Sequence, residues 1–431
     1  RPGTSQADIA GLEASHGLSF VEPLRYSENP GFVYRLPHGR SMDAVGIGNA
    51  LHETGLVEFA VPDFSLARVL MDIPDDPRFV DQWHLHSTGQ TAALVDADVD
   101  APEAWDITRG DPSVIIAVVD TGVELTHNDL KNNLLPGTDV LDNDNDPKAE
   151  DFLFGLVQEK HSTSVCGVSA AQGFNGLGVS GAAPECGIIP IRFLSEWIFA
   201  GSPTTQDEVD AFNFAVAGGA SVINNSWGPL TTFGSVPLPA PTKAAIDNAN
   251  QNGRGGLGTM IFFASGNEGA SVSNNGYAKY SGTVAVSAST DKDKLASYSN
   301  TGPEINVCAP SNGGSTSGIW TTDRKGSKGY SSGDYTGLFG GTSSASPLAA
   351  GVACLVFSAN PWIEWETALD ILELTADKID PAAGNYGADG HSNKFGHGKV
   401  NAHRAVLAAQ GSPPFGVAHY GAGTAGTDGQ V

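Results

Sequence analysis

Short apolar runs alternate with amphipathic segments over most of this chain, and the alternation predicts its main fold. Six apolar runs of five to nine residues are too short for buried helices, so we interpret them as buried strands. They cover residues 114–119, 186–194, 221–225, 259–264, 283–287 and 305–309. Helical patterns such as DEVDAFNFAVAG and TKAAIDNANQ lie between several of them. This order predicts right-handed crossovers and an α/β fold, with a doubly wound, mostly parallel sheet and helices on both of its faces.

The pattern changes on either side of this region, which indicates three parts. Residues 1–72 combine two helical and three extended segments, so we expect a small α+β unit there. Residues 73–409 carry the α/β pattern. Residues 410–431 are rich in Gly and Pro and poor in aliphatic side chains, so we expect a flexible tail that forms no core.

Charge narrows the range of partners. The 431 residues include 48 acidic and 23 basic ones, which gives a formal net charge of -25. Such a surface repels phosphate groups, so we expect neither nucleic acid nor an anionic membrane as a partner. No apolar stretch reaches about 18 residues, so we also expect no membrane span. Most of the excess carboxylate fits the surface of a secreted or salt-tolerant protein, and the remainder is available to bind cations.

The four cysteines have no zinc-ligand spacing, and each lies in an apolar run. Burial as small apolar side chains explains them, and one or two disulfides are the alternative in an oxidising compartment. They are Cys166, Cys186, Cys308 and Cys354.

Three polar residues stand where the predicted elements would bring them to one edge of the sheet. Asp120 ends the first long strand, His161 opens the small-residue helix HSTSVCGVSAA, and Ser343 starts a helix after two glycines. Active sites of parallel sheets form at the carboxyl ends of strands. A serine hydroxyl becomes a nucleophile when an imidazole removes its proton and a carboxylate orients that imidazole. The order Asp, His, Ser along the chain is that of subtilisin rather than of chymotrypsin.

Asn267 is a fourth candidate. It follows another buried strand, in FFASGNEG, at a glycine-rich turn where its amide can approach a tetrahedral oxyanion. Each of the four residues is weak evidence alone, because an isolated Asp is more often a turn residue and an isolated His more often a structural one. Together, in this order, they predict a serine hydrolase.

The segments around these residues resemble the subtilisin-like serine proteases. The matching segments are VVDTGVELTHNDL, HSTSVCG, INNSWGP, FFASGNEG and GGTSSASPLAAG, within residues 75–408. The sequences SWGP and GGTSSASPLAAG are most similar to those of the kexin and furin branch. The resemblance implies a secreted or periplasmic endopeptidase that hydrolyses polypeptides through an acyl-enzyme. Asp120, His161 and Ser343 would be its triad, and Asn267 its oxyanion donor.

The resemblance also implies where the substrate binds. An extended polypeptide would pair beside Ser226, Trp227 and Gly228, although Trp227 alone could also be a core residue. Basic-residue convertases need carboxylates in the primary pocket, and the corresponding positions here are Thr231 and Asn275. We therefore expect that strict dibasic cleavage is lost. Two further departures lie beside the triad, since Thr121 replaces an acid and Ser162 replaces a glycine of the family pattern.

Structural calcium is the cofactor that the resemblance implies, at two sites. The tight site would take the side chains of Asp76, Asp129 and Asn175, and the carbonyls of Gln172, Leu177 and Val179. The second site would take Asp139, Asp144 and Asp146, because clustered carboxylates repel one another unless a hard cation neutralises them. A solvated acidic turn is the alternative for the second site.

Residues 1–72 resemble the inhibitory propeptide of these proteases, a small ferredoxin-like unit whose C-terminal end lies in the active-site cleft. We therefore expect a monomeric zymogen whose own propeptide is its intramolecular inhibitor, cut within LARVLMDIPDD. A peptide ligase or macrocyclase on the same fold is an alternative, although no special helical insertion indicates it. A catalytically silent binding protein is a second alternative, but it would usually lack a triad member.

Overall fold

The chain folds as two compact units in the computed structural model, Arg1–Leu70 and Met71–Val431. The structure describes residues 4–24, 31–36, 44–57, 60, 72–197, 202–229, 231, 234–313 and 317–411. The division lies close to the boundary expected after residue 72. Residues 412–431, almost all of the expected tail, lie outside the described residues, as does most of the third extended segment expected in the first unit.

The described residues of the first unit form two helices and an antiparallel strand pair. They are α1 (Gln6–His16), β1 (Ser19–Leu24), β2 (Gly31–Arg35) and α2 (Ala44–Glu53). Helix α1 begins with a capping box, because the Ser5 side chain accepts from the Asp8 N–H while the Asp8 carboxylate accepts from the Ser5 N–H. It ends at Gly17, whose φ of 66° suits a residue without Cβ. The elements match the expected order of helix, two strands and helix.

The second unit contains the remaining strands and helices. The strands are β3 (Ile115–Asp120), β4 (Thr138–Asp139), β5 (Asp151–Phe152), β6 (Val157–Gln158), β7 (Gly187–Arg192), β8 (Val222–Asn225), β9 (Met260–Ala264), β10 (Val284–Ser289), β11 (Ile305–Pro310), β12 (Ile319–Thr322) and β13 (Tyr335–Phe339). The helices are α3 (Ala101–Trp105), α4 (His161–Ala170), α5 (Thr205–Ala217), α6 (Ala240–Asn252), α7 (Thr342–Ala359), α8 (Trp365–Thr375), α9 (Pro381–Gly384) and α10 (Ala402–Gly411).

Seven of these strands form one parallel sheet, in the order β11-β10-β9-β8-β3-β7-β4. All six predicted strands are in it. Strand β3 lies inside the sheet, and the chain passes from its neighbour β7 on one side to its neighbour β8 on the other. This is the switch point of a doubly wound sheet, where a crevice opens at the carboxyl ends of the strands.

The two faces of β3 show that both sides of the sheet are covered. Ile116 and Val118 pack into the core that includes α4, α7 and α10, whereas Ala117 and Val119 pack against α5 and α6. Helix α7 is long and apolar enough to cross a membrane, but 89% of its apolar window is buried. Its composition is therefore that of the central core helix. All four cysteines are buried and carry free thiols.

Candidate active site

The carboxyl end of β3 holds Asp120 next to the first residue of α4. The Asp120 carboxylate is 1% exposed, and its Oδ1 accepts from the Thr121 N–H at 2.7 Å and from His161 Nδ1 at 2.8 Å. The Asp120 carbonyl accepts the N–H groups of Phe193 and Leu194, which follow β7. Because Nδ1 donates to the carboxylate, Nε2 of His161 is the nitrogen left to act as a base.

Opposing effects act on the protonation of His161. Burial lowers its pKa, but the charge and the hydrogen bond of Asp120, together with the charge of Glu196, outweigh burial, and the pKa is raised. Phe339 covers the ring at a centroid distance of 5.5 Å. The surroundings therefore stabilise the imidazolium that proton abstraction would produce.

Ser343 is the second residue of α7, the helix that fills the core. Its Oγ donates to the Ser226 carbonyl at 3.2 Å, and the Ser226 hydroxyl donates to the Ser343 carbonyl at 3.0 Å. Below them, Asn224 donates to Ser226 Oγ at 2.9 Å and accepts from Ser346 at 2.7 Å. This buried network fixes the start of α7 to the end of β8. In the described part of the chain Ser343 Oγ makes no hydrogen bond with His161, and catalytic hydrogen bonds of this kind commonly tighten only when substrate binds.

The orientation of the Asn267 amide follows from its partners. Asn267 Oδ1 accepts from the Thr342 N–H at 2.8 Å and from the Thr342 hydroxyl at 3.0 Å. Thr342 Oγ1 in turn accepts from the Gly266 N–H at 3.2 Å. A backbone donor can only face the amide oxygen, so Nδ2 is the end that remains to donate to another group. A Cβ on Gly341, whose φ is 73°, would lie 3.3 Å from this amide, so glycine there keeps the approach open.

The predicted substrate-binding residues divide into buried and exposed ones. Ser226 is buried, and Trp227 packs against Phe193 at a ring-centroid distance of 4.9 Å while its Nε1 donates to the Val119 carbonyl at 2.9 Å. Trp227 is thus held by the core, and Gly228 is the exposed residue of the three.

The two residues expected in the primary pocket, Thr231 and Asn275, are buried and uncharged. Asn275 Oδ1 accepts the N–H groups of Tyr277 at 3.0 Å and Ala278 at 3.2 Å. A Cβ on Gly228 would lie 2.8 Å from Asn275 Nδ2, so the amide faces this glycine.

Most residues of the tight calcium site lie together. Asp76 and Asp129 are 3% and 0% exposed. Asn175 Nδ2 donates to Asp129 Oδ1 at 3.1 Å and to the Gln172 carbonyl at 2.9 Å, so the positive end of an amide dipole lies between two oxygens. The loop closes around them, since the N–H of Val179 donates to Asp129 Oδ2 and that of Leu177 to Asn175 Oδ1.

Charge repulsion indicates that this site suits a cation. Burial raises the pKa of Asp76, and the charges of Asp129 and Asp75 raise it further, against hydrogen bonds from the N–H groups of Phe174 and Asn175. Buried carboxylates and carbonyls are the donors that calcium prefers. The residues present therefore fit calcium.

The second predicted calcium site is not assembled in this way. Asp139 Oδ2 pairs with Arg192 at 2.6 Å, and Asp146 pairs with Lys148, so Asp139, Asp144 and Asp146 do not converge. Arg192 is 1% exposed, and it supplies a buried positive charge that the sequence did not reveal. Its guanidinium also contacts Asp142 at 2.6 Å, Glu159 at 3.0 Å and Glu150 at 3.5 Å.

A different group of carboxylates does converge within the described residues: Asp96, Asp98 and Asp100. Both oxygens of Asp98 accept backbone N–H groups, those of Ser87 and Asp100, and Asp100 accepts from Asn401 at 2.6 Å. Hydrogen bonds within the fold therefore account for this cluster.

Sequence reasoning missed two residues beside the candidate triad. Glu196 accepts the N–H groups of Lys160 and His161, and Thr342 orients Asn267. Thr342 lies within GGTSSASP, whose position next to Ser343 could have indicated it. Glu196 follows a buried strand in an irregular segment, where no periodic pattern predicts which side chain turns toward α4.

Comparison with known proteins identifies the family. The family described as "Subtilase family" matches residues 111–398. The chain is 36% identical over 423 residues to a calcium-dependent protease of Trichormus variabilis, and the match covers 93% of this chain and 61% of that protein. It is 33% identical over 311 residues to thermitase of Thermoactinomyces vulgaris, covering 72% of this chain and 93% of thermitase.

Bovine furin is 28% identical over 393 residues, covering 88% of this chain and 47% of furin, so the furin branch is one of several related branches. A solved structure of a Pseudoalteromonas arctica protease has a TM-score of 0.62 at 30% identity, covering 78% of this chain and 100% of that one. The chain spans about three fifths of the length of the calcium-dependent protease. The profile match and these relatives lead to one conclusion: the chain belongs to the subtilase family.

Proposed function

We propose that this chain is a serine endopeptidase in which Ser343 is the nucleophile, His161 the general base, Asp120 the orienting acid and Asn267 the oxyanion donor. The observation that carries the proposal is the hydrogen bond between buried Asp120 and His161 at the switch point of the sheet, beside the helix α7, whose second residue is Ser343.

The chemistry follows from these positions. His161 Nε2 takes the proton of Ser343 Oγ as the hydroxyl attacks the substrate carbonyl, and Asp120 stabilises the resulting imidazolium. The oxyanion forms near the start of α7, where the Ser343 N–H and Asn267 Nδ2 can donate to it. The imidazolium then gives its proton to the leaving amine, and water hydrolyses the acyl-enzyme in the reverse sequence.

Calcium would bind at one site and stabilise the fold. Asp76, Asp129 and Asn175 would hold it with the Gln172 carbonyl, and the remaining oxygens would come from Leu177 and Val179. The Asn175 amide would turn its oxygen toward the ion. We do not extend the proposal to the second predicted site, because Asp139, Asp144 and Asp146 do not converge among the described residues.

The first unit would act as propeptide and inhibitor, and the protease would be secreted and monomeric. Polypeptide substrate would pair beside Ser226, Trp227 and Gly228. Thr231 and Asn275 carry no charge, so a buried arginine of the substrate would lack a partner there. Cleavage of a peptide library should therefore show no strong preference for paired basic residues, and such a preference would contradict this part of the proposal.

Labelling with a fluorophosphonate probe tests the main proposal. The mature wild-type protein should be labelled, and Ser343→Ala should not be. Ser358→Ala is a matched control, because Ser358 lies at the other end of the same helix and donates to the Cys354 carbonyl. It should be labelled like the wild type. An unlabelled, folded wild-type protein would refute the proposal and favour a catalytically silent binding protein.

A further inference from the structure

The amino terminus of α4, which carries His161, is capped by side chains from other parts of the fold. Its N-cap residue, Lys160, makes no side-chain capping hydrogen bond. Glu196 Oε1 accepts both the Lys160 N–H at 2.7 Å and the His161 N–H at 2.8 Å. The next N–H, of Ser162, donates to Thr121 Oγ1 at 3.1 Å. First-turn N–H groups have no partner within their own helix, so these acceptors hold the start of α4 in place.

The segment that carries Glu196 also contacts the neighbouring member of the candidate triad. It continues from β7, and the N–H groups of Phe193 and Leu194 donate to the carbonyl of Asp120 at 2.7 and 3.0 Å. Residues 193–196 therefore connect the backbone of Asp120 to the backbone of His161. Their position sets where the imidazole lies relative to the carboxylate that binds it at 2.8 Å.

We propose that Glu196 is a positioning residue for His161, which anchors the backbone of the imidazole and provides a second negative charge beside it. A catalytic effect of Glu196 rests on the proposed function, but the hydrogen bonds of Glu196 with the Lys160 and His161 N–H groups do not depend on activity. In this role Glu196 acts through His161.

Several charged groups surround His161, and they determine how the charge of Glu196 affects its pKa. Asp120 faces the ring from β3, and Glu196 faces it from the segment after β7. Lys160 precedes His161 in the chain, and its Nζ lies 5.0 Å from the ring centre of Tyr330. Asp323 lies beyond, near Lys160 and Tyr330. Both carboxylates next to His161 raise its pKa, so removal of one charge should lower that pKa.

Two substitutions separate the charge from the anchoring. Glu196→Gln keeps an oxygen that can accept both N–H groups and removes only the charge. We expect the pKa of His161 to fall by about half a unit to one unit, and the acidic limb of kcat/KM to move to lower pH by the same amount. Glu196→Ala also removes the anchor, so kcat should fall about tenfold while KM changes little.

A third variant controls for helix capping as such. Asp207 belongs to the capping box of α5 with Thr204, far along the chain from the candidate triad. Asp207→Asn should cost similar stability through a lost capping charge and leave the pH profile unchanged.

The decisive measurement uses protein without the nucleophile. The pKa of His161 is determined by NMR titration in Ser343→Ala, with and without Glu196→Gln, and its resonance is assigned by its loss in His161→Gln. This readout needs no turnover, so failure of the proposed protease function leaves it interpretable. An unchanged pKa in the folded double variant would overturn the inference, as would a fall equally large in Asp207→Asn.

Discussion

Replacement of Asn267 by alanine tests the candidate oxyanion donor most directly. Two hydrogen bonds from Thr342, at 2.8 and 3.0 Å, fix the amide oxygen, so the amide nitrogen is oriented before any substrate arrives. A donor held in this way costs no reorganisation in the transition state, and loss of one such donor lowers kcat by about 10²–10³, or about 2.7–4 kcal/mol. Asn267→Ala should reduce kcat by this factor, with KM nearly unchanged because the oxyanion exists only in the transition state.

A substitution at Thr342 provides a second test of the Asn267 amide. Thr342→Val removes the hydroxyl that donates to Asn267 but keeps the backbone N–H, so kcat should fall by less, about threefold to tenfold. In the Asn267→Ala background the same substitution should have almost no further effect on kcat, because Thr342 acts through the amide. Its cost in stability, from the unpaired Gly266 N–H, should persist in both backgrounds.

The assay is steady-state cleavage of a fluorogenic peptide, with active sites counted by fluorophosphonate labelling. Asn248→Ala is a matched control, since Asn248 is an exposed residue of α6 that only accepts from Asn252. It should keep wild-type kcat. A folded Asn267→Ala protein with kcat within threefold of wild type would refute the role of this amide.

Four further predictions concern stability and accessibility. Removal of calcium by a chelator should lower the melting temperature by about 5 °C, and Asp129→Ala should abolish the response; an unchanged melting curve of the wild type would exclude the site. Burial, which is the main cause, raises the pKa of Glu373 to about 6. The folded state therefore favours the protonated carboxyl group, and the protein loses stability as the pH rises through about 6 and this group ionises. Glu373→Gln should therefore raise the free energy of unfolding by about 1–2 kcal/mol at pH 8 and leave it unchanged at pH 4, as measured by urea unfolding. Arg192→Met should lower the free energy of unfolding by about 3–5 kcal/mol, because it leaves buried carboxylates without a cation, and a neutral effect would contradict that account. The four cysteines should not react with a thiol reagent in the native protein and should give four equivalents after unfolding, whereas fewer would indicate a disulfide.

The sheet was predictable because most of its strands are buried on both faces and are therefore mainly apolar. The run at 114–119 became β3, and the residue after it in sequence, Asp120, ends the strand as expected. The amide of Asn267 was also foreseeable at the turn after β9, but its fixed orientation was not, since that depends on Thr342 from a distant helix.

The ion pairs of Arg192 could not be predicted from the local sequence pattern. It ends an otherwise apolar strand, and its carboxylate partners lie 33 to 53 residues earlier in the chain, so no short window of sequence contains the interaction. For the same reason the acidic run at 139–146 predicts a metal loop, and the sequence gives no sign that Asp139 pairs with Arg192 within the fold. Only the folded chain brings the cation to it.

The burial of helix α7 also affects how the protein unfolds. Ser343 lies at one end of an 18-residue helix whose body is almost entirely enclosed, and Asp120 ends a strand inside the sheet against which that helix packs. Neither group can be released by fraying at the surface. Amide hydrogens in the body of α7 should exchange with solvent only as fast as the whole unit opens, and the proposed nucleophile should be inactive until that unit is fully formed.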